Sequence, residues 1–221
     1  MAAAVAAFAQ KALWDAALVR LQPAVPTWVL IQFGHNDQPG KPGRSTDLQT
    51  EYPANLARYV DEVRAEGAVP VLVTPLTRRS FKGGELVDDL QPWAQAMRDV
   101  AQRQQVPLVD LYALSGATVR ALGSAQADTL ATAAPGQPGF DRTHLGARGA
   151  CVFAEQLARE LARVVPALDT PRSAGPDCAQ LPAPSPPDAA ADPGTAASVH
   201  ADLRQRSAAP SLGKVAGQGS E

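Results

Sequence analysis

Apolar positions along this chain alternate between two kinds of run. The unbroken stretch Trp28-Val29-Leu30-Ile31-Gln32-Phe33 is too short for a helix and reads as a strand, 28 to 33, buried on both faces of a parallel sheet. Next, Tyr52, Leu56, Tyr59, Val60 and Val63 recur at helical spacing, with Pro53 accommodated in the first turn. Ala68-Val69-Pro70-Val71-Leu72-Val73-Thr74-Pro75 supplies a second strand and closes one βαβ unit. Leu90, Trp93, Met97 and Val100 mark another helix, with Asp89 as its expected cap and Pro92 near its start. Val106-Pro107-Leu108-Val109-Asp110-Leu111 then gives a third strand. An amphipathic helix ending near Leu21 precedes the first strand, through Pro23 and Pro26. Ala113 to Pro135 reads as a short helix and a loop, and Phe153, Leu157, Leu161 and Val164 define a closing helix from Leu145. This alternation predicts an α/β fold, a parallel sheet with helices on both faces.

Beyond Leu168 there are no aromatic residues and many Pro, Ala and Gly. Such composition offers too little burial to offset the entropy of ordering the backbone. The expected organisation is one domain over residues 1–168 and a disordered tail over 169–221. At 221 residues and 45% hydrophobic, the chain can bury one sizeable core. Its net charge of -2 leaves no broad basic surface, which argues against nucleic acid as a partner. No apolar stretch approaches the roughly 18 residues of a membrane span. The small apolar start, Met1 to Gln10, has no positive charge before it and reads as a helix end rather than an export signal. Cys151 and Cys178 read as a buried small hydrophobe and a tail thiol, a disulfide requiring that the tail fold back.

Chemistry concentrates in two segments. Gly34-His35-Asn36-Asp37 follows the first strand directly, where ligands bind in open α/β sheets. Roughly a hundred residues later, Phe140-Asp141-Arg142-Thr143-His144-Leu145 sets an acid three residues before a histidine, at the start of a helical pattern. Each has a structural reading alone: Asn36 and Asp37 as turn formers, Asp141 as a helix cap. Two of the chain's three histidines fall in these segments, which favours an active site. The Gly- and Pro-rich loop Gln38 to Ser45 is a candidate pocket rim. Arg78 and Arg79 are candidates for contacting an acidic sugar, with solvated surface arginines as the default, and Trp93 is expected in the core.

The two segments resemble the third and fifth sequence blocks of the SGNH (GDSL-like) hydrolases. The resemblance covers about residues 11 to 165 and is closest to the rhamnogalacturonan acetylesterase branch. It is carried by Trp14-Asp15-Ala16-Ala17-Leu18, Leu30-Ile31-Gln32-Phe33-Gly34-His35-Asn36-Asp37 and Val73-Thr74-Pro75-Leu76-Thr77-Arg78-Arg79. It implies a three-layer α/β/α, flavodoxin-like hydrolase, a serine esterase that removes acetyl groups from a pectic polysaccharide without a cofactor. By matching position, Asp141 and His144 correspond to the acid and base of a Ser-His-Asp triad, and Asn36 to the oxyanion-hole asparagine. His35 and Asp37 are secondary candidates for contacting substrate. The implied partner is an acetylated polysaccharide or oligosaccharide, and family members are commonly secreted or periplasmic.

Two blocks of the family have no counterpart: no Gly-Asp-Ser occurs in the chain, and neither does the glycine block. Ser45 and Ser80 lie in loops after strand ends, and Ser115 and Ser124 in the irregular stretch after the third strand; none sits in a tight strand-to-helix turn. With three convincing strands and none before the first, the expectation is a partial domain lacking its first two strands. The competing readings are a noncatalytic, carbohydrate-binding remnant and, more weakly, a metal-dependent hydrolase using His35, Asp37, Asp141 and His144. Those four are acceptable ligand types, but their spacing lacks the short paired signature of a metal site.

Overall fold

A computed structural model describes residues 13–21, 26–133, 139–169 and 175–184. Three strands, β1 (Trp28–Ile31), β2 (Val69–Val73) and β5 (Leu108–Val109), form a parallel sheet in the order β1-β2-β5. Trp28 pairs with Val69 and Ile31 with Leu72; Leu72 and Val73 pair in turn with Leu108 and Val109. All three strands are shorter than the apolar runs that announce them. Their carboxyl-terminal residues leave the ladder to build loops.

Period-two alternation along β2 divides the core. Leu72 faces a layer made by α1 (Glu51–Ala65) and α2 (Gln91–Gln104), packing with Tyr52, Leu56, Val60, Trp93, Met97 and Val100. Val71 and Val73 face the opposite layer, formed by α3 (Leu111–Ala127) and α4 (Ala147–Val164), where they meet Leu111, Val119 and Phe153. The result is the α/β/α sandwich that the sequence predicts. Burial of each such side chain contributes about 1.5–3 kcal/mol. The helical residues 13–18 pack on α1, where Trp14 meets Tyr59 edge-on at 4.6 Å and its indole N–H donates to Glu62 at 2.5 Å.

Several elements depart from the sequence reading. Asp89 does not cap α2: Leu90 occupies that position without a side-chain cap, and Asp89 turns to Arg78 instead. Ala113 to Pro135 holds more order than expected, because α3 runs for 17 residues, broken at Gly123, and leads into β6 (Ala131–Ala133). Its cap is Asp110, which also takes two charge-assisted bonds from Arg98 at 2.9 and 3.0 Å. The Asp141–His144 segment is not the beginning of a helix but part of β7 (Phe140–Leu145), antiparallel to β6. Gly146 separates it from α4 in an extended conformation. A two-stranded ribbon, β3 (Phe81–Lys82) with β4 (Glu85–Leu86), follows β2.

The cysteines also depart from expectation. Cys151 of α4 and Cys178 form a disulfide, with S–S 2.02 Å across a sequence separation of 27. Within the expected tail, residues 175–184 therefore return to α4, where Arg148 donates to the carbonyls of Ala179 at 2.7 Å and Leu181 at 3.2 Å. The remaining expected tail, 170–174 and 185–221, lies outside the described residues, as does the N-terminal helix end over 1–12. Among the described residues β1 pairs on one side only, and no helix is long and apolar enough to cross a membrane.

Candidate active site

The chain leaves β1 through Gly34, whose φ of +131° is open to glycine alone and whose absent Cβ would lie 3.0 Å from Pro75 Cγ. The turn that follows is closed by Asp37. Its carboxylate accepts the Gly34 N–H at 2.9 Å and the Thr46 hydroxyl at 3.2 Å, and its own carbonyl accepts the Thr46 N–H at 3.0 Å. Burial raises the Asp37 carboxyl above the ordinary carboxylate range, against the pull of those donors. Asp37 thus shapes the loop and borders a small neighbouring cavity with Tyr52 and Tyr59. His35 and Asn36 border that cavity too, but the turn also presents them to a second place, which Asp37 does not reach.

That place is an open cleft of about 830 Å³ at the carboxyl-terminal end of the sheet. Its walls bring together Asn36 and His35 from the β1 loop, Gln38 and Lys41 from the expected rim, and Asp141, Thr143 and His144 from β7. His35 is half-buried; burial, then the Arg78 charge, lowers its pKa below the usual histidine value, against the neighbouring Leu76 backbone, which raises it. Burial and the Arg78 charge both favour the neutral ring.

Asp141 and His144 are joined side chain to side chain, with Nδ1 2.6 Å from Oδ2. The other carboxylate oxygen accepts the backbone N–H of Thr143 and of His144, each at 2.9 Å. Burial works to raise the Asp141 carboxyl, but these N–H donors and the His144 ring outweigh it and hold the carboxyl at about 2. It is ionised throughout the physiological range. The His144 side chain is 78% exposed, and with Nδ1 engaged, Nε2 is left for proton transfer. A carboxylate-held imidazole of this kind can exchange a proton at Nε2, and the amide of Asn36, which lines the same cleft, is a type of group that can donate to an oxyanion.

Among the described residues, no serine or cysteine lines the cleft. Ser115 is fully buried, accepting the Thr77 N–H at 3.0 Å and donating to the Tyr112 carbonyl, and Ser45 is bonded into its own loop through Gln38 and Lys41. His35, Asp37, Asp141 and His144 do not converge on one point, since Asp37 belongs to the loop turn and the neighbouring cavity.

The two arginines are the residues that sequence reasoning undervalued. Arg78 is nearly buried and ties the site's loops together, donating to Gln38 at 2.7 Å, the His35 carbonyl at 3.3 Å and the Thr143 hydroxyl at 3.2 Å, and pairing with Asp89. Arg79 is 0% exposed and lies beneath Asp141 and His144. Neither is the solvated arginine expected by default. The available signal was position: both follow β2 on the end of the sheet where the Gly-His-Asn-Asp cluster follows β1.

The sequence model of the GDSL-like Lipase/Acylhydrolase family matches residues 4–152. The chain is similar to the probable rhamnogalacturonan acetylesterase YesY of Bacillus subtilis (strain 168), at 32% identity over 133 residues, covering 60% of each chain. It is also similar to the rhamnogalacturonan acetylesterase RhgT of the same organism, at 34% identity over 139 residues and 59% of each. The chain thus spans about 60% of the length of these relatives. Its fold resembles the crystal structure of the Bacillus subtilis protein YXIM, with TM-score 0.55 and 22% identity over 68% of this chain and 40% of that one. A variant of Axe2, an acetyl-xylooligosaccharide esterase from Geobacillus Stearmophilus, superposes with TM-score 0.51 at 23% identity, over 74% and 68% of the two chains. With its α/β/α layers and its cleft at the carboxyl ends of parallel strands, the chain belongs to the GDSL-like lipase/acylhydrolase, or SGNH hydrolase, family.

Proposed function

We propose that this chain carries the acid–base pair and an oxyanion donor of a carbohydrate O-acetylesterase acting on pectic polysaccharide of the rhamnogalacturonan type. The observation that carries the reading is the 2.6 Å contact between His144 Nδ1 and Asp141 Oδ2, in one cleft with Asn36. The names of the curated relatives support acetylated rhamnogalacturonan as the substrate class.

In this reaction His144 Nε2 takes the proton of a serine hydroxyl as the serine oxygen bonds to the acetyl carbon. Charge develops on the carbonyl oxygen, where the Asn36 amide donates. The C–O bond to the sugar then breaks, and His144 returns the proton to the departing sugar oxygen. Water repeats the sequence to release acetate. Asp141, ionised and fixed by two backbone N–H groups, holds the imidazole in the tautomer with Nδ1–H and stabilises the imidazolium.

Among the described residues, no serine lines the cleft. That observation favours a second reading, in which the chain alone binds acetylated sugar without turnover. One experiment separates them. The chain is joined in frame to an N-terminal segment bearing Gly-Asp-Ser and the glycine block, and acetate release from acetylated rhamnogalacturonan is measured. Release that depends on His144 supports the esterase reading; a folded fusion that binds the polysaccharide and releases nothing supports the binding reading.

A further inference from the structure

β7 is a poor ladder strand at the point where chemistry is placed on it. Thr132 pairs with Asp141, Ala133 with Phe140, and Ala131 with Leu145, so the register shifts between Ala131 and Thr132. Arg142, Thr143 and His144 therefore bulge out of the pairing. Bulges of this kind re-aim side chains, but they also release backbone carbonyls from their partners. Those carbonyls need donors from elsewhere.

Three carbonyls of this segment, those of Asp141, Arg142 and His144, accept from Arg79. Its backbone N–H donates to the Arg142 carbonyl at 3.0 Å, and its Nη2 donates to the carbonyls of Asp141 at 3.2 Å and His144 at 2.6 Å. Arg79 is fully buried, and its Nε and Nη1 have no partner among the described residues. The guanidinium has no other hydrogen-bonding task. Burial lowers its pKa to about 10, while the nearby charges of Asp141 and Asp128 raise it. It remains a cation at neutral pH.

We propose that Arg79 is a positioning residue for the Asp141–His144 pair, fastening the back of the bulge whose front is closed by the Asp141 carboxylate. The bulge is held from two sides. Asp141 draws the N–H groups of Thr143 and His144 inward, and Arg79 draws the opposing carbonyls toward the core. Burying a cation costs several kcal/mol that an aliphatic side chain of similar volume avoids, so packing alone does not account for arginine here. What only a multidentate donor supplies is a fixed orientation for the two carbonyls, and with it the placement of His144 on Asp141. The proposal rests on reading that pair as acid and base, but its test does not use turnover.

The test is NMR on the chain itself, whose three histidines make assignment tractable. A hydrogen-bonded imidazole Nδ1–H on a carboxylate gives a far-downfield proton resonance, here expected for His144. In Arg79→Met, which keeps the bulk and removes the donors, that resonance should be lost while amide spectra of α1 and α2 remain those of the wild type. Arg79→Lys, retaining the charge and a shorter donor, should restore it in part. An unchanged resonance in a folded Arg79→Met variant overturns the proposal. If that variant does not fold, exchange in the wild type decides: the Arg79 guanidinium protons should exchange on the order of tenfold or more slowly than those of exposed Arg58, and equal rates overturn it. Loss of the resonance without esterase activity in any fusion would refute the reaction and leave the positioning role intact.

Discussion

His144 and Asp141 are bonded to one another twice, through Nδ1 to Oδ2 at 2.6 Å and through the His144 backbone N–H to Oδ1 at 2.9 Å. The double attachment fixes the ring relative to the carboxylate, while Arg79 holds the carbonyls of the segment that carries both. It also ties the charge of Asp141 to the conformation of the β7 bulge. Protonating Asp141 weakens both bonds together.

That coupling gives a pH dependence. The folded carboxyl sits at about 2, below its unfolded value, so between about pH 4 and pH 2 the unfolded chain binds the proton first. The stabilisation from Asp141 is complete above about pH 4 and is lost as pH falls through its folded value. Urea midpoints should therefore drop less steeply between pH 4 and pH 2 in Asp141→Asn than in the wild type. Parallel profiles would show that the carboxylate contributes no linkage.

A second expectation concerns the start of α4. Gly-to-Ala substitution inside a helix ordinarily stabilises by up to about 1 kcal/mol. A Cβ on Gly149, however, would fall 2.2 Å from the Leu130 carbonyl oxygen and 3.0 Å from Leu145 Cδ2. Backbone must move to admit it. Gly149→Ala should be destabilising by about 1–3 kcal/mol, and a raised melting temperature would contradict the close approach of α4 to the β6 entry.

The disulfide makes a third. Cys151–Cys178 closes a loop with a sequence separation of 27, which by loop entropy corresponds to about 3–4 kcal/mol as an upper range. Cys178→Ala should lower stability by about 2–4 kcal/mol, and the wild type in reductant should move toward the same value. Equal melting temperatures with and without reductant would show that the bridge constrains nothing in the unfolded chain.

The sheet and its helices were legible because their signals are local. Tyr52, Leu56, Val60 and Val63 repeat at helical spacing and are the buried positions of α1, and the apolar runs of β1 and β2 stand on their own. His35, Asn36, Asp141 and His144 stood out in the sequence as candidates, and all four line the cleft. The conformation of Asp141–His144 was not legible, because a bulge paired with β6 looks like a helix entry when only its own residues are read. Arg79 was hidden for a related reason: its partners are carbonyls 62 and 65 residues away, and carbonyls carry no sequence identity. The cysteine pair depended on the return of 175–184 to α4, which composition alone argued against.

The single-sided pairing of β1 leads to a fourth expectation. Leu30 is 41% exposed in a strand whose other edge has no partner among the described residues. Unpaired apolar edges template association between chains, and an edge lysine opposes it. Leu30→Lys should raise the monodisperse fraction of the expressed chain in size-exclusion chromatography with little change in melting temperature. A large loss of stability would mean that Leu30 is covered in solution.

The last expectation ranks the site residues by role. The chain alone should release no acetate from acetylated sugars and take no label from fluorophosphonate probes, because no serine or cysteine lines its cleft among the described residues and the Thr143 hydroxyl is tied to Arg78. In a fusion that supplies Gly-Asp-Ser and does deacetylate, His144→Ala should lower kcat by several orders of magnitude, since proton transfer in both half-reactions passes through one ring. Asn36→Ala should cost on the order of a hundred- to thousandfold, the usual effect of removing one oxyanion donor while others remain. Both should act on kcat more than on KM, because the groups engage charge that develops only in the transition state. Labelling of the unmodified chain, or a fusion fully active after His144→Ala, would overturn the assignment of His144 as the base.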